Sequence, residues 1–274
     1  MNYGKRSADN DFRGGGQGNL SSITGIGAGI KPFSAAEQRT IKSGFTLAEV
    51  LITLGIIGVV AAMTLPALIQ KNNNKVVETR LMKFYSTINQ AIKMAEVDYG
   101  DKKYWFEDLA GAEFDKDGKP VPGSSAQEKW FNKYFTPYMK ILKTDTMYDG
   151  RLIVYFPDGT ALALAHHTTV DWFFFTGSRC KVESYDEIHN LYGKCVFSFA
   201  FSPVSTSSIW KYHYNKGVEP YKYAWDGDIE QLKKACYNDT ALGDSSISGR
   251  SYCTALIQLN GWKIPDDYPY KVNY

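Results

Sequence analysis

Apolar residues dominate one continuous stretch of this chain, residues 45–69, and that stretch predicts the first element. It contains 25 residues and a single charged side chain, Glu49. As an α-helix rising about 1.5 Å per residue, it would reach roughly 38 Å, enough to cross a hydrocarbon core of about 30 Å with some tilt. Windows of this length without Lys, Arg or Asp are typical of membrane helices. The pattern therefore predicts a helix that spans a membrane.

The apolar pattern then becomes one-sided. In residues 71–98, apolar side chains recur every three or four positions while charged ones fall between them, which predicts an amphipathic helix. The recurring positions are Val77, Leu81, Phe84, Ile88, Ala91, Ile92 and Ala95. One helix would then run from residue 45 to about residue 98, half in lipid and half against a globular head. At Pro66 we expect a kink or local melting, because proline lacks a backbone donor and clashes with the preceding turn. The proline is compatible both with a purely structural kink and with a functional hinge.

Beyond residue 98 the sequence is rich in Tyr and Trp and alternates as strands do. Helical content is expected near residues 126–138. The predicted strands are residues 152–156, 160–164, 172–176 and 195–202. Near the C-terminus, Cys253–Leu259 reads as a short helix. An antiparallel sheet laid on the amphipathic half of the long helix follows, so the predicted fold class is α+β.

Charge adds an orientation to this picture. The chain carries 31 Lys and Arg against 29 Asp and Glu, a balance that does not indicate nucleic acid as a partner. Residues 1–44 hold six of the basic residues and three of the acidic ones. This excess before the helix orients that end to the cytoplasm and sends the C-terminal part outward. The Gly-rich composition of residues 1–44 predicts disorder.

The junction before the apolar run carries a motif. Gly44-Phe45-Thr46-Leu47-x-Glu49 follows Lys42-Ser43 and leads into the apolar run. A secretory signal is cut after its apolar run, whereas this junction precedes it. The motif and the run through Ile69 resemble the class III signal of type IV prepilins and of the pseudopilins of type II secretion.

The resemblance implies roles for individual residues. A prepilin peptidase would cut between Gly44 and Phe45 and methylate the new amine of Phe45. Glu49 would pair with the N-terminal amine of a neighbouring subunit, and Pro66 lies where family members also carry a proline. A carboxylate in a membrane helix costs about 2.5–3.5 kcal/mol on insertion scales, which an opposite charge offsets. A Glu49 side chain that snorkels to the lipid headgroups is the simpler alternative.

The resemblance also implies an organisation and a function. Residues 1–44 would be a cleaved prepilin leader, residues 45–98 a transmembrane and assembly helix, and residues 99–274 a pilin-like globular head. The protein would be a structural subunit, not an enzyme, of a type IV pilus-like filament, or fimbrium. It would be stored in the inner (cytoplasmic) membrane as a single-pass protein with its head outside the cytoplasm, and then enter a periplasmic or cell-surface filament.

The implied partners are prepilin peptidase, identical or related pilin subunits, an inner-membrane assembly platform and the lipid bilayer. Two alternatives stay open. One is a pseudopilin of a type II secretion system. The other is a membrane-anchored extracytoplasmic binding module that does not polymerise.

All the cysteines lie in the part predicted to be exported. They are Cys180, Cys195, Cys236 and Cys253. An even count in an oxidising compartment predicts disulfides, and of the three connectivities the local pairings Cys180–Cys195 and Cys236–Cys253 are the simplest. A loop closed by the second pairing resembles the C-terminal disulfide loop that many pilins display on the filament surface.

The histidines give no catalytic pattern. None has a spacing that places it with a Cys, Ser or carboxylate partner in a known arrangement. Surface or core roles are therefore expected for His166, His167, His189 and His213.

One acidic segment resembles half of a calcium loop. It contains Glu113, Asp115 and Asp117 followed by Gly118, but Ser124 stands where a calcium loop has its bidentate glutamate. A plain acidic turn is therefore expected, and no cofactor is predicted. Some major pseudopilins hold calcium in their heads, so calcium is kept as an alternative on resemblance alone.

Overall fold

The longest element is helix α1, Leu47–Tyr99, in a computed structural model that describes residues 44–178, 180, 185–243 and 248–274. The chain divides into two compact units, residues 1–50 and residues 51–274. The disorder predicted for the leader concerns residues that, apart from Gly44, lie outside the described ones. The division into leader, helix and head at residues 44 and 98 stays a prediction.

Pro66 lies inside α1, and the helix runs through it without interruption. Of the two outcomes expected here, local melting is therefore wrong, while a kink at Pro66 stays a prediction. Proline removes one backbone donor, but the surrounding turns keep their own bonds, and the Thr64 hydroxyl donates a further bond to the Val60 carbonyl at 2.9 Å.

The amphipathic half of α1 packs against the head, as the spacing of its apolar residues predicts. Its buried side chains all belong to the main core cluster, and they are Val77, Leu81, Phe84, Ile88, Ala91, Ile92 and Ala95. Phe84 stacks on Phe174 with ring centroids 4.4 Å apart, and it meets Phe199 edge-on at 5.0 Å. The helix thus forms one wall of the core.

An antiparallel sheet forms the other wall, and its six described strands are neighbours in chain order. They are β1 Lys143–Thr146, β2 Leu152–Tyr155, β3 Ala161–Leu164, β4 Asp171–Phe175, β5 Val196–Ala200 and β6 Glu219–Pro220. Strands β2 to β5 occupy the four predicted positions, which confirms the α+β class and the antiparallel sheet. Strands β1 and β6 were not predicted, because β1 has no apolar residue and β6 has two residues, one of them proline.

The register gives the sheet two different faces. Phe174 on β4 pairs with Phe197 on β5, and both belong to the main core cluster with α1. Next to them, Phe173 pairs with Ser198, and these side chains point the other way because successive residues of a strand alternate. The face that carries Phe173 and Ser198 is called the outer face below.

Short helices complete the described head. They are α2 Lys102–Trp105, α3 Ala126–Tyr134, α4 Tyr185–Leu191, α5 Ile229–Asn238 and α6 Cys253–Leu259, with 3-10 turns at Thr136–Tyr138, Ser208–Trp210 and Gly249–Tyr252. Helix α3 begins where the Ser125 hydroxyl accepts the Glu128 N–H at 3.1 Å. It lies where the sequence predicts it but ends at Tyr134, because Pro137 disfavours a continued helix before it. Helix α6 has the predicted bounds.

The C-terminal residues return to α1. The side-chain amides of Gln70 and Asn73 donate to the Val272 carbonyl at 3.2 and 3.4 Å. The Arg80 guanidinium lies 4.7 Å from the centroid of the Tyr274 ring. Polar contacts therefore join α1 to the end of the chain, in addition to the shared core.

Candidate functional site

The predicted cleavage site lies just before α1. Gly44, Phe45 and Thr46 precede the helix and are exposed. The Phe45 side chain is 87% exposed, and a Cβ added to Gly44 would meet nothing within 4 Å. The bond between Gly44 and Phe45 is thus sterically accessible to an enzyme, while its cleavage and the methylation of Phe45 stay predictions.

Glu49 has a local role that the sequence analysis missed. The Thr46 N–H and the Thr46 hydroxyl each donate to Glu49 Oε2 at 2.8 Å, and the Glu49 N–H donates to Thr46 Oγ1 at 3.2 Å. This reciprocal arrangement is a capping box, which satisfies backbone donors that the first helical turn leaves free. The Thr46-x-x-Glu49 spacing was the signal for it. Glu49 therefore stabilises the start of α1 whether or not it also meets a second subunit.

Residues 51–69 give α1 an exposed apolar surface. The side chains of Leu54, Ile57 and Leu68 are 60%, 63% and 64% exposed. Among the described residues, α1 is the one helix that is long and apolar enough to cross a membrane. Soluble monomers rarely expose a contiguous apolar surface of more than a few hundred Å². This part of the helix accordingly fits lipid or other apolar helices.

Two glycines interrupt that surface. A Cβ added to Gly55 or Gly58 would meet nothing within 4 Å, so neither is required by packing inside this chain. Small residues at such positions let a neighbouring helix approach closely. These glycines are compatible with close packing against another helix and with simple flexibility of α1.

The cysteines form one of the two predicted bonds. Cys236 at the end of α5 is bonded to Cys253 at the start of α6. Cys180 and Cys195 are free and buried, so the prediction of a second disulfide between them is wrong for this structure.

The reason lies in how the two free sulfurs are held. The Cys180 sulfur lies 3.6 Å from the Thr176 hydroxyl. A hydrogen bond between the two thiols lowers the pKa of Cys180 and raises that of Cys195. The sulfurs are neighbours in hydrogen-bond contact and not covalently joined. Sequence spacing cannot distinguish these two states, because a disulfide depends on the positions of both Cβ atoms.

The acidic segment forms a tight turn. Asp115 Oδ1 accepts the backbone N–H groups of Asp117 and Lys119, both at 2.9 Å. Beside it, Phe114 and Pro120 form an antiparallel bridge. No group of three or more His, Cys, Asp or Glu side chains in the described part of the chain is placed to hold a metal. The geometry is that of an Asx turn.

His213 is a core histidine. It is fully buried, and its Nε2 accepts the Lys222 N–H at 3.2 Å. Burial and the charge of Lys222 lower its pKa to about 3. His213 therefore stays neutral at physiological pH.

The other histidines are brought together by the fold. His166, His167 and His189 line one cavity beside the outer face of the sheet. The first two follow β3, and the third lies on α4. Their separation along the chain gave no sign of this, because the elements that carry them meet only in the folded head.

Comparison with known families divides the chain near Pro66. Residues 67–272 match the model of a family of unknown function (DUF6613). Residues 39–65 match the prokaryotic N-terminal methylation motif, which confirms the resemblance to the type IV pilin and pseudopilin signal. No curated protein and no solved structure matches the chain.

The motif indicates a type IV pilin-like or pseudopilin precursor. Such a precursor is processed by prepilin peptidase and assembles with other pilin subunits. Together with the exposed apolar helix, the motif suggests a membrane-anchored protein whose head lies outside, in a structural rather than a catalytic role.

Proposed function

Because this chain belongs to the family of unknown function DUF6613 and carries the prokaryotic N-terminal methylation motif, we propose that it is a structural subunit of a type IV pilus-like filament. Prepilin peptidase cuts it between Gly44 and Phe45. The observation that carries the proposal is the position of the motif at the start of α1. The first half of this helix is apolar and exposed, and its second half contributes side chains to the core of the head.

The exposed surface of α1 supplies the energy of assembly. Most side chains of residues 51–69 are exposed in the part of the chain that the structure describes, so they are available first to the inner membrane and then to the helices of other subunits. Packing between such helices depends on close contact and on polar pairs, because lipid is as apolar as the helices themselves. A Glu49 carboxylate paired with the Phe45 amine of a neighbouring subunit would set the axial register.

The capping box is also compatible with the alternative function, a membrane-anchored binding module. A membrane-anchored binding module that does not polymerise could also use Thr46 and Glu49 to start its helix. The presence of Glu49 in an apolar run therefore does not separate filament subunit from anchor, and the experiments below are chosen to do so.

The first test concerns processing. The mature protein is expected to begin at methylated Phe45, and mass spectrometry of its N-terminal peptide measures this. Replacing Gly44 with leucine should leave the precursor uncut in the membrane, because the structure has room for the side chain and any effect then arises in the peptidase. An intact leader in the wild-type protein would contradict the proposal.

The second test separates the two roles of Glu49. Glu49→Gln keeps a side-chain acceptor for the capping box but removes the charge, whereas Glu49→Ala removes both. If the carboxylate pairs with an amine, both variants should lose filaments while their amounts in the membrane stay the same. Filament yield after shearing, relative to membrane-bound protein, is the measurement.

Three other results are informative. Loss of filaments in Glu49→Ala alone would assign the effect to the helix cap. Normal filaments in both variants would leave Glu49 without an assembly role. A wild-type chain that is processed but never forms filaments would favour the membrane-anchored module.

A further inference from the structure

A cavity of about 490 Å³ opens beside the outer face of the sheet. Small-molecule sites in proteins usually measure roughly 300–1,000 Å³ and combine apolar walls with a few directed polar groups. Acidic, basic and hydroxyl side chains at this cavity come from the start of β4, from the residues before β2 and from the middle of β5. Four that belong to the sheet or directly precede it are Asp149, Arg151, Asp171 and Ser198, and Ser248 and Ser251 add hydroxyls from outside the sheet.

Two of these polar groups have no partner. Asp171 Oδ1 and Ser198 Oγ are shielded from solvent, and neither makes a hydrogen bond to any part of the chain that the structure describes. Asp171 pairs with Ala200 and Phe173 pairs with Ser198, so Asp171 and Ser198 are diagonal neighbours on one face of adjacent strands. The carboxylate oxygen only accepts hydrogen bonds, the Ser198 hydroxyl can accept or donate, and His166 Nδ1 at the same cavity is likewise unbonded. Native proteins satisfy most buried polar atoms, so this set fits a ligand that brings hydrogen-bond donors.

The charges around the cavity favour a cation. Arg151 lies within 3.0 Å of Asp149, measured from Nε to Oδ2, so its charge is already neutralised. Among the residues that the structure describes, no ion pair with Asp171 is found. Asp108, whose charge acts on Asp171, accepts hydrogen bonds from Thr168 and Thr169 at 2.5 and 3.2 Å. Among the described residues that line the cavity, two carboxylates, Asp149 and Asp171, stand against one guanidinium, that of Arg151.

Aromatic rings supply a further part of the wall. Phe173 lies between the Arg151 guanidinium, 5.4 Å from its ring centroid, and the Tyr192 ring, stacked at 5.7 Å. Tyr221 contributes a further ring beside Ser198. Aromatic surface next to a carboxylate suits organic cations, since ring faces attract positive charge and the rings exclude water.

We propose that this cavity binds a small organic molecule carrying a primary ammonium group, with Asp171 as the counterion and Ser198 as a second acceptor. Ammonium has three donors and no acceptor, which matches the two orphaned oxygens. The site would give the head a ligand-binding activity that goes beyond filament assembly and does not depend on it.

The test uses the full chain in detergent micelles and two probes. Benzylamine and benzyl alcohol share one ring and differ in the ammonium group, and ligand-observed NMR measures their affinities. Benzylamine should bind more tightly by at least about tenfold, because a charge pair in a partly buried site is worth more than a neutral hydrogen bond. Equal affinities, or no binding of benzylamine at millimolar concentration, would overturn the proposal.

Two variants locate the effect. Asp171→Asn keeps the shape of the side chain and should abolish the preference for benzylamine. Asp145→Asn makes the same change of charge on strand β1, at an exposed carboxylate paired with Lys143 at 2.8 Å, and should leave the preference unchanged. If both variants reduced it equally, the effect would come from overall charge and the assignment of Asp171 would be wrong.

A pH series on the wild-type chain and on Asp171→Asn gives a further measurement. Benzylamine binding should weaken between about pH 7.5 and about pH 5, since protonation of Asp171 removes the counterion. Other titratable or charged groups face the cavity or act on Asp171, and they are Asp108, Asp149, Arg151, His166, His167 and His189. Any change in benzylamine affinity that these groups cause with pH is also present in Asp171→Asn. An identical pH dependence of the affinity in both proteins would therefore overturn the role of Asp171.

Discussion

At the scale of single residues, Asp171 opposes the stability of the head at neutral pH. Burial, and to a lesser degree the charge of Asp108, raise its pKa to about 6, whereas an aspartate in an unfolded chain titrates near about 3.9. The unfolded chain therefore releases this proton at lower pH than the folded one. The contribution of Asp171 to the free energy of unfolding accordingly falls as pH rises from about 4 to about 6.

We predict that Asp171→Asn removes this pH dependence. The variant should gain stability relative to wild type by up to about 3 kcal/mol as pH rises from about 4 to about 7, the equivalent of a pKa shift of about two units. Thermal unfolding at several pH values measures the difference.

Asp145→Asn serves as a control of opposite sign. A hydrogen bond from Lys143 lowers the pKa of Asp145, so its small contribution is present at neutral pH and is lost as pH falls through the lowered pKa. A stability difference between Asp171→Asn and wild type that does not change with pH would contradict the assignment.

At the scale of elements, the disulfide joins two helices that share little of the main core. Cys236, Cys253 and Leu256 form a small cluster of their own on α5 and α6. The bond closes a loop with a sequence separation of 17, and a loop of that size is worth about 3 kcal/mol by chain-entropy estimates. The C-terminal part of the head thus depends on a covalent link more than the sheet does.

We predict that replacing Cys236 and Cys253 together by serine lowers the free energy of unfolding by about 3 kcal/mol. Replacing Cys180 and Cys195 by alanine should cost less, because no loop is opened. Denaturant unfolding of the two double variants compares their free energies of unfolding.

Peptide mapping without reduction should show the Cys236–Cys253 bond and two thiols that react only after unfolding. A bond between Cys180 and Cys195 in the exported protein would contradict this assignment.

At the scale of the whole molecule, α1 has two halves with different surroundings. Residues 51–69 are exposed along most of their length, whereas from Val77 onward one face of the helix is buried in the main core. The first half can serve a membrane or a filament without disturbing the head. The second half cannot be removed from the head without opening its core.

We predict that a chain lacking residues 1–69 folds with an unchanged thermal midpoint and no longer sediments with membranes. Removing residues 1–95 should prevent folding. That deletion takes away the seven buried side chains of α1. Each large one is worth about 1.5–3 kcal/mol, so their sum is comparable to a typical total stability of about 5–15 kcal/mol. Circular dichroism and membrane fractionation give both readouts. A shorter deletion that unfolds the head would show that the exposed half is needed for folding.

Much of the fold was predictable from local pattern. The length of the apolar run, the three- and four-residue spacing of its amphipathic continuation, and the alternation in strands β2 to β5 are properties of neighbouring residues. The predicted elements are therefore close to the observed ones. Strand β1 was not predicted because its residues are polar and give no apolar alternation. It is a strand through its backbone pairing with β2 at the edge of the sheet.

The sequence by itself determined the long apolar helix, the N-terminal methylation motif within residues 39–65, and the side of α1 that is buried, because each depends on residues close together in the chain. Tertiary structure alone decided that Cys180 and Cys195 are free thiols and that Asp171 and Ser198 share a cavity with three histidines. Those arrangements depend on distances between atoms carried by different strands and helices. Such distances exist only after the sheet has formed and its register is set.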